Sequence, residues 1–265
     1  MRWWERLLGE MQQNTKQDAH APDPALGSAA APVTTGIGDN CDAATQAMLE
    51  ATANSRDAFY ASLGALEPDV LAPLINPALM GGPTWPALRQ AWSVIRRPDS
   101  TAVASNGLSD PFEQTNAAPV ALGFGIEVFA EARGQIAEMS RSWLFDLTYQ
   151  VSQNVASHGQ CLDLLARYGV LSMLLEVKGL PLEWLSGEGK AGVLIGLPAK
   201  SVPATFDTPY GEVRMVALTL LRPEELAFLE TSEEISVNRR WLAENFASVP
   251  DGHVNDLGRS PFVTA

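Results

Sequence analysis

Between residues 119 and 132 apolar side chains take every second position: Val120, Leu122, Phe124, Ile126, Val128 and Ala130. A period of two puts them on one side of a strand, with Gly123 and Gly125 on the other. The period then changes. Met139, Trp143, Leu147, Val151 and Val155 stand four apart and line one face of a helix over 138–157. A chain that carries both periods belongs to the mixed α+β class.

The rest of the chain divides in the same way. Thr101–Ser105 is a short extended run closed by Asn106-Gly107, and 172–178 and 191–197 are apolar runs of strand length. Residues 201–221 form a hairpin around Asp207-Thr208-Pro209-Tyr210-Gly211, followed by the long apolar strand Val213–Leu221. Helices are expected over 41–66, 160–168, 223–229 and 233–246. Another is expected over 85–97. Pro86 suits its first position, Leu88, Ala91, Trp92 and Ile95 form a face, Arg96 and Arg97 suit its last turn, and Pro98 stops it. Pro68, Pro73 and Pro77 cut 67–80 into short helical turns. Residues 1–13, with Trp3, Trp4, Leu7, Leu8 and Met11 on one face, read as a short amphipathic helix, and 14–40 as a linker. The main domain is therefore expected over 41–265, with an irregular tail from Pro250.

Hydrophobic residues make up 46% of the 265 and charged residues 18%, enough apolar material to bury a core and too little charge for a disordered chain. Against 18 Lys and Arg stand 31 Asp and Glu, a net charge of −13. That balance disfavours nucleic acid, where phosphate neutralisation supplies most of the affinity, and anionic membranes. It suits a basic protein partner. The only cysteines, Cys41 and Cys161, fit a reducing compartment. The opening residues carry Glu5, Arg6 and Glu10 where a signal peptide needs an unbroken apolar stretch, and no run reaches the roughly 18 apolar residues of a membrane span. A cytoplasmic location is expected.

Catalytic and metal chemistry find little support. His20, His158 and His253 are scattered, and His158 with Cys161 supplies only a pair of ligands. Gly107-Leu108-Ser109-Asp110-Pro111 has half of a nucleophile elbow, with proline where the second glycine belongs. Gly123-Phe124-Gly125 sits in a strand pattern with no helix after it, so it suits close backbone packing better than a phosphate. Glu127 and Glu131 share a strand face, and nothing in the sequence singles them out. No catalytic residue, cofactor or metal is expected. The acids gather late, at Glu224, Glu225, Glu230, Glu233, Glu234, Glu244, Asp251 and Asp256. With Leu226 and Leu229 facing inward, Glu224 points outward and Glu225 and Glu230 flank the apolar stripe. The residues expected to meet a partner are Glu230, Glu233 and Glu234, with Asp110 and Tyr210 in the two loops.

Several blocks together resemble the suppressor-of-fused domain family. They are Trp85–Trp92 with Arg96-Arg97, Ala104–Phe112 (ASNGLSDPF), Gly123–Glu127 (GFGIE), Asp207–Gly211, Pro223–Leu226 and His253–Pro261 (HVNDLGRSP). The likeness covers roughly 80–265 and is similar to the bacterial single-domain type. It implies a mixed sheet flanked by helices and a protein-binding role. In animals the family holds a transcription factor by pairing a peptide as an added strand between two domains, and the second domain has no counterpart after the matched blocks. Single-domain bacterial members are proposed as immunity proteins, so the expected partner is a basic toxin domain. An adaptor without a toxin is the alternative. An enzyme or small-molecule binder using the 105–111 and 207–211 loops is another.

Overall fold

The computed structural model describes residues 43–112, 122–231 and 235–263. The expected helix over 1–13, the linker, Val120, Glu233 and Glu234 lie outside them. In chain order the elements are α1 (Ala43–Leu63), β1 (Ala65–Leu66), β2 (Ala91–Arg96), β3 (Ser100–Asn106), β4 (Ile126–Arg133), α2 (Trp143–His158), α3 (Cys161–Tyr168), β5 (Leu171–Leu175), β6 (Ala191–Leu197), β7 (Thr205–Thr208), β8 (Gly211–Leu221), α4 (Pro223–Glu230) and α5 (Ile235–Ser248). The strands form one eight-stranded sheet in the order β1-β2-β3-β4-β8-β6-β5, with β7 paired to β8. β4 and β8 run parallel and the other neighbours antiparallel. The fold is α+β, a mixed sheet flanked by helices.

The pattern of fours is the buried stripe of α2: Leu147, Val151 and Val155 face inward, and Met139 is buried in a short 3₁₀ turn just ahead of the helix. The Ser142 hydroxyl caps the helix by accepting from the Phe145 N–H, and Gly159 closes it in the left-handed conformation. α2 packs on β3 and β4. The opposite face of the sheet carries Ile95, Ala102, Ala104, Phe129, Val213, Met215 and Ala217 in one core with Tyr60 of α1 and Phe206 of β7. A second core joins Leu194, Leu197 and Leu221 to Leu229 of α4 and to Leu242 and Phe246 of α5.

The expected helix over 85–97 is a strand. Residues 91–95 are all buried, and Trp92 packs against Phe145 and Tyr149 while its indole N–H donates to Ser152 Oγ at 3.1 Å. A short apolar run covered on both faces reads alike as helix or strand. The chain before it cannot be helical: Leu88 has φ 58, and a tight turn links Arg89 N–H to the Ala87 carbonyl. Of 67–80 only Pro77–Met80 is helical, as one 3₁₀ turn. Gly123 and Gly125 stand in the turn before β4 rather than within it. The close-packing expectation holds at Gly123, where a Cβ would lie 2.7 Å from the Asp110 carbonyl, but at Gly125 a Cβ would meet only the end of the Leu162 side chain.

The tail from Pro250 is irregular but ties the sheet together. Parallel pairing of β4 with β8 stops at Phe129 and Ala217. Beyond that point Asn255 stands between the diverging strands. Its amide donates to the Glu131 and Leu218 carbonyls and accepts from the Leu220 N–H, at 2.7 to 3.0 Å. Its backbone bridges to Ala132.

Gly107 and Gly211 both adopt φ 140, a region that penalises side chains. At Gly107 a Cβ would also sit 3.0 Å from the Arg89 carbonyl and 3.2 Å from the Trp85 ring, whereas at Gly211 it would meet only the end of Leu122. Gly107→Val is therefore expected to lower stability by about 2–3 kcal/mol and Gly211→Val by about 1 kcal/mol. Urea unfolding of the two variants checks both the sign and the order.

Candidate functional site

The sequence blocks converge on three buried carboxylates. Glu127, on β4, is fully buried. One carboxylate oxygen accepts from the Gly107 and Ser109 N–H groups, at 3.1 and 3.0 Å, and from the Ser109 hydroxyl at 2.7 Å. The other accepts from the Ser105 hydroxyl. Arg56 reaches in from α1, its Nη1 lying 3.2 Å from Glu127 and 2.8 Å from Asp110, and its Nε donating to Asn106 at 3.1 Å. The ASNGLSDP loop is thus wound around the glutamate that ends the GFGIE block. Burial pushes the Glu127 carboxyl above its usual range, and Arg56 with the hydroxyl and N–H donors offsets only part of that rise. The same carboxylates hold Arg56 charged against its own desolvation.

Four residues along β4 and on the same face, Glu131 is bound by Arg97, by the Ser100 hydroxyl and by His253 Nε2 at 3.1 Å. Burial alone would raise its pKa. The bonds from His253, Ser100 and Arg97 outweigh that and hold it below the usual carboxylate range. The third carboxylate, Glu225 of α4, takes both arms of the Arg259 guanidinium at 2.6 Å and caps its own helix by accepting from the Arg222 N–H. Arg259 in turn stacks over Trp184, Phe246 and Phe262.

These contacts relocate one of the expected partner residues. Asp110 is buried at 4% exposure with its carboxylate on Arg56, so it holds the loop and offers nothing to a partner. Glu225 is inside, not beside an apolar stripe. Glu230 is exposed, and Tyr210 is half-buried with its N–H on Thr208 Oγ1. Glu127 and Glu131 are both buried. Cys161, the first residue of α3, is a buried free thiol whose pKa burial pushes up to about 11.

The surface that sequence reasoning missed is the proline-punctuated segment before β2. Leu74 is fully exposed, Ile75 is 61% exposed and Leu79 and Met80 76% each, with Val70 and Leu88 beside them in sequence. Residues 70–88 contain no charged side chain. The segment is nonetheless held in shape. Asn76 caps the 3₁₀ turn through Ala78 N–H and donates to the Leu88 carbonyl at 2.6 Å, and Gly82 N–H returns to the Pro77 carbonyl. The available signal was this uncharged stretch, which a reading of 67–80 only as short helical turns passes over.

No family model and no curated protein matches the sequence. Among solved structures, the crystal structure of Drosophila Suppressor of Fused aligns over 80% of this chain with a TM-score of 0.51 and 16% identity. A chain of the Sufu–Fu complex aligns over the same share with a TM-score of 0.50 and 15% identity. The fold is similar to that of about half of Drosophila Suppressor of Fused. The chain spans half the length of the Drosophila protein and matches 91% of the chain from the complex. Among the described residues no helix is long and apolar enough to cross a membrane.

The two neighbouring carboxylates of β4 differ in sign against pH. Glu131 titrates lower in the folded state, so its stabilisation is complete above its unfolded pKa of about 4.3 and is lost as pH falls through the folded value. Glu131→Gln is expected to melt well below the wild type at neutral pH. The gap should narrow as pH falls below about 4.5. Melting curves between neutral pH and pH 3 check this, and a constant gap would contradict it.

Proposed function

We propose that this chain is a non-catalytic protein-binding domain whose primary contact is the apolar promontory formed by residues 70–88. The observation that carries the reading is the set of exposed Leu74, Ile75, Leu79 and Met80 on a hydrogen-bonded, charge-free segment. Contiguous exposed apolar patches of this kind mark interaction sites, because leaving them in water forfeits about 25 cal/mol per Å² of apolar surface. A pre-shaped loop also loses little conformational entropy on docking. The buried carboxylates support the same reading. Glu127, Glu131 and Glu225 are each consumed by arginines and N–H or O–H donors within the fold, which suits a scaffold better than acid–base chemistry. The Sufu–Fu structure is of a complex, and the fold likeness to it supports a binding role for this chain.

The finer reading is a cytosolic immunity protein of the bacterial single-domain type that neutralises a basic toxin domain. Its support is the net charge of −13 together with the motif resemblance. Opposite fields speed encounter, and rim charges act chiefly on the on-rate. In this reading the acidic side chains, Glu230 among them, steer a basic partner onto the apolar promontory, which then supplies the affinity.

Changing Leu74, Ile75 and Leu79 together to Ser removes apolar surface that the fold does not use, so melting should stay within about 1–2 °C of the wild type. Capture from the native lysate should then lose the principal bound protein by more than about tenfold. Equal capture by both chains would sink the promontory as the contact. Expressing the captured protein alone should arrest growth, and co-expression with the wild-type chain should restore it; a harmless partner leaves an adaptor role instead. Reversing Glu230, Glu233 and Glu234 to Lys should slow association with that partner at low salt. The difference should shrink towards 0.15 M salt, where screening acts over about 8 Å. A rate that ignores both changes would place the steering charges elsewhere.

A further inference from the structure

Three arginines packed into this fold, Arg56, Arg97 and Arg259, end on buried acids. Arg239 of α5 is only 7% exposed, yet among the described residues it reaches none. Its hydrogen bond is a long one, from Nη1 to the Ser172 hydroxyl of β5 at 3.5 Å. Its other contact is the ring of Tyr168, 5.8 Å from the guanidinium carbon. Burial pulls the Arg239 pKa below its ordinary value, and the Tyr168 hydroxyl offsets part of that. An arginine remains charged at neutral pH all the same. A buried cation without a counter-ion is costly, and a chain with 31 acids is not short of them.

The surroundings are organised for an incoming anion. Tyr168 is 39% exposed and contacts two guanidiniums, because Arg167 lies over the same ring at 5.2 Å. Arg167 is exposed and likewise forms no ion pair among the described residues. Ser172 belongs to β5, the last strand of the sheet. The result is a local positive spot on a strongly negative molecule, with one guanidinium at its base and one at its rim.

We propose that Arg239, Tyr168 and Arg167 form a carboxylate-binding site that takes an acidic side chain of a protein partner. The carboxylate accepts from the unused N–H donors of Arg239, a charge-assisted and directional contact. Tyr168 supplies an apolar wall, and Arg167 closes the outer side. The whole-molecule field repels an acidic ligand, so recognition here depends on the local donors. This site is separate from the 70–88 promontory, and either reading survives the loss of the other.

The test uses the full chain with isotopically labelled arginine, following the side-chain Nε–H signal of Arg239 by NMR. The probes are acetyl-Leu-Glu-Leu-amide, its glutamine counterpart and sodium acetate. The glutamate peptide should shift the signal saturably and bind at least about tenfold more tightly than the glutamine peptide or acetate. Arg239→Lys should weaken it, and Tyr168→Leu or Arg167→Gln should weaken it with melting unchanged. These exposed-residue variants keep the test sound if changing Arg239 harms the fold. Equal binding of the glutamate and glutamine peptides, or no saturable shift, overturns the site. Acetate binding as tightly as the glutamate peptide overturns the protein-partner assignment in favour of free small carboxylates. Strong non-additivity in stability between Arg239→Gln and the pair Glu233→Gln with Glu234→Gln also overturns it, because the counter-ion would then be the chain's own.

Discussion

A carboxylate buried in the middle of a sheet must be neutralised where it stands, and β4 carries two of them. Glu127 and Glu131 project from the same face of the strand that joins the antiparallel half of the sheet to the half built on β8. Each draws in parts of the chain that are remote in sequence. Glu127 fixes α1 through Arg56 and gathers the 105–110 loop around its oxygens. Glu131 fixes the end of β2 through Arg97 and the C-terminal tail through His253. Such pairs add little net stability compared with well-packed apolar residues, but breaking one leaves an uncompensated charge in the core. Their effect is to exclude other registers. A slip of one residue in β4 would turn both glutamates to the α2 face, away from their arginines.

The tail completes that arrangement. Asn255 satisfies backbone groups of both β4 and β8 where their parallel pairing ends, a place where bare N–H and carbonyl groups would otherwise be buried without partners. Arg259 does the same for Glu225 and for the Leu220 carbonyl. The motif residues of this chain are therefore largely internal ties. The proposed contact surfaces lie largely outside the motif blocks, in the charge-free 70–84 stretch and the Tyr168–Arg239 spot. In that reading scaffold and contact surface are separate.

Several elements were legible before any coordinates. The fours of α2, the alternation through Ile126, Val128 and Ala130, the strand before Asn106-Gly107 and the hairpin turn at Asp207–Gly211 all match the structure. Each rests on local physics: a period, a cap or a glycine at positive φ. The segment 85–97 failed that test because Trp92, Val94 and Ile95 are apolar at spacings compatible with either state. The choice was made by pairing with β3 and by the ring of Trp92 meeting α2. Asp110 failed for a related reason. A polar loop residue reads as exposed unless its partner is known, and Arg56 is far away along the chain.

By itself the sequence determined the mixed class, the main periodic elements, the glycine-dependent turns and the acidic net charge. These depend on neighbours a few residues apart, where backbone sterics and side-chain spacing suffice. Only the tertiary structure decided which acids are buried, which arginines answer them, and which apolar side chains are left outside. Arg56 and Glu127 are 71 residues apart, and His253 and Glu131 are 122. Whether a charge can be buried depends on its counter-charge arriving at hydrogen-bonding distance, and no local pattern encodes that arrival.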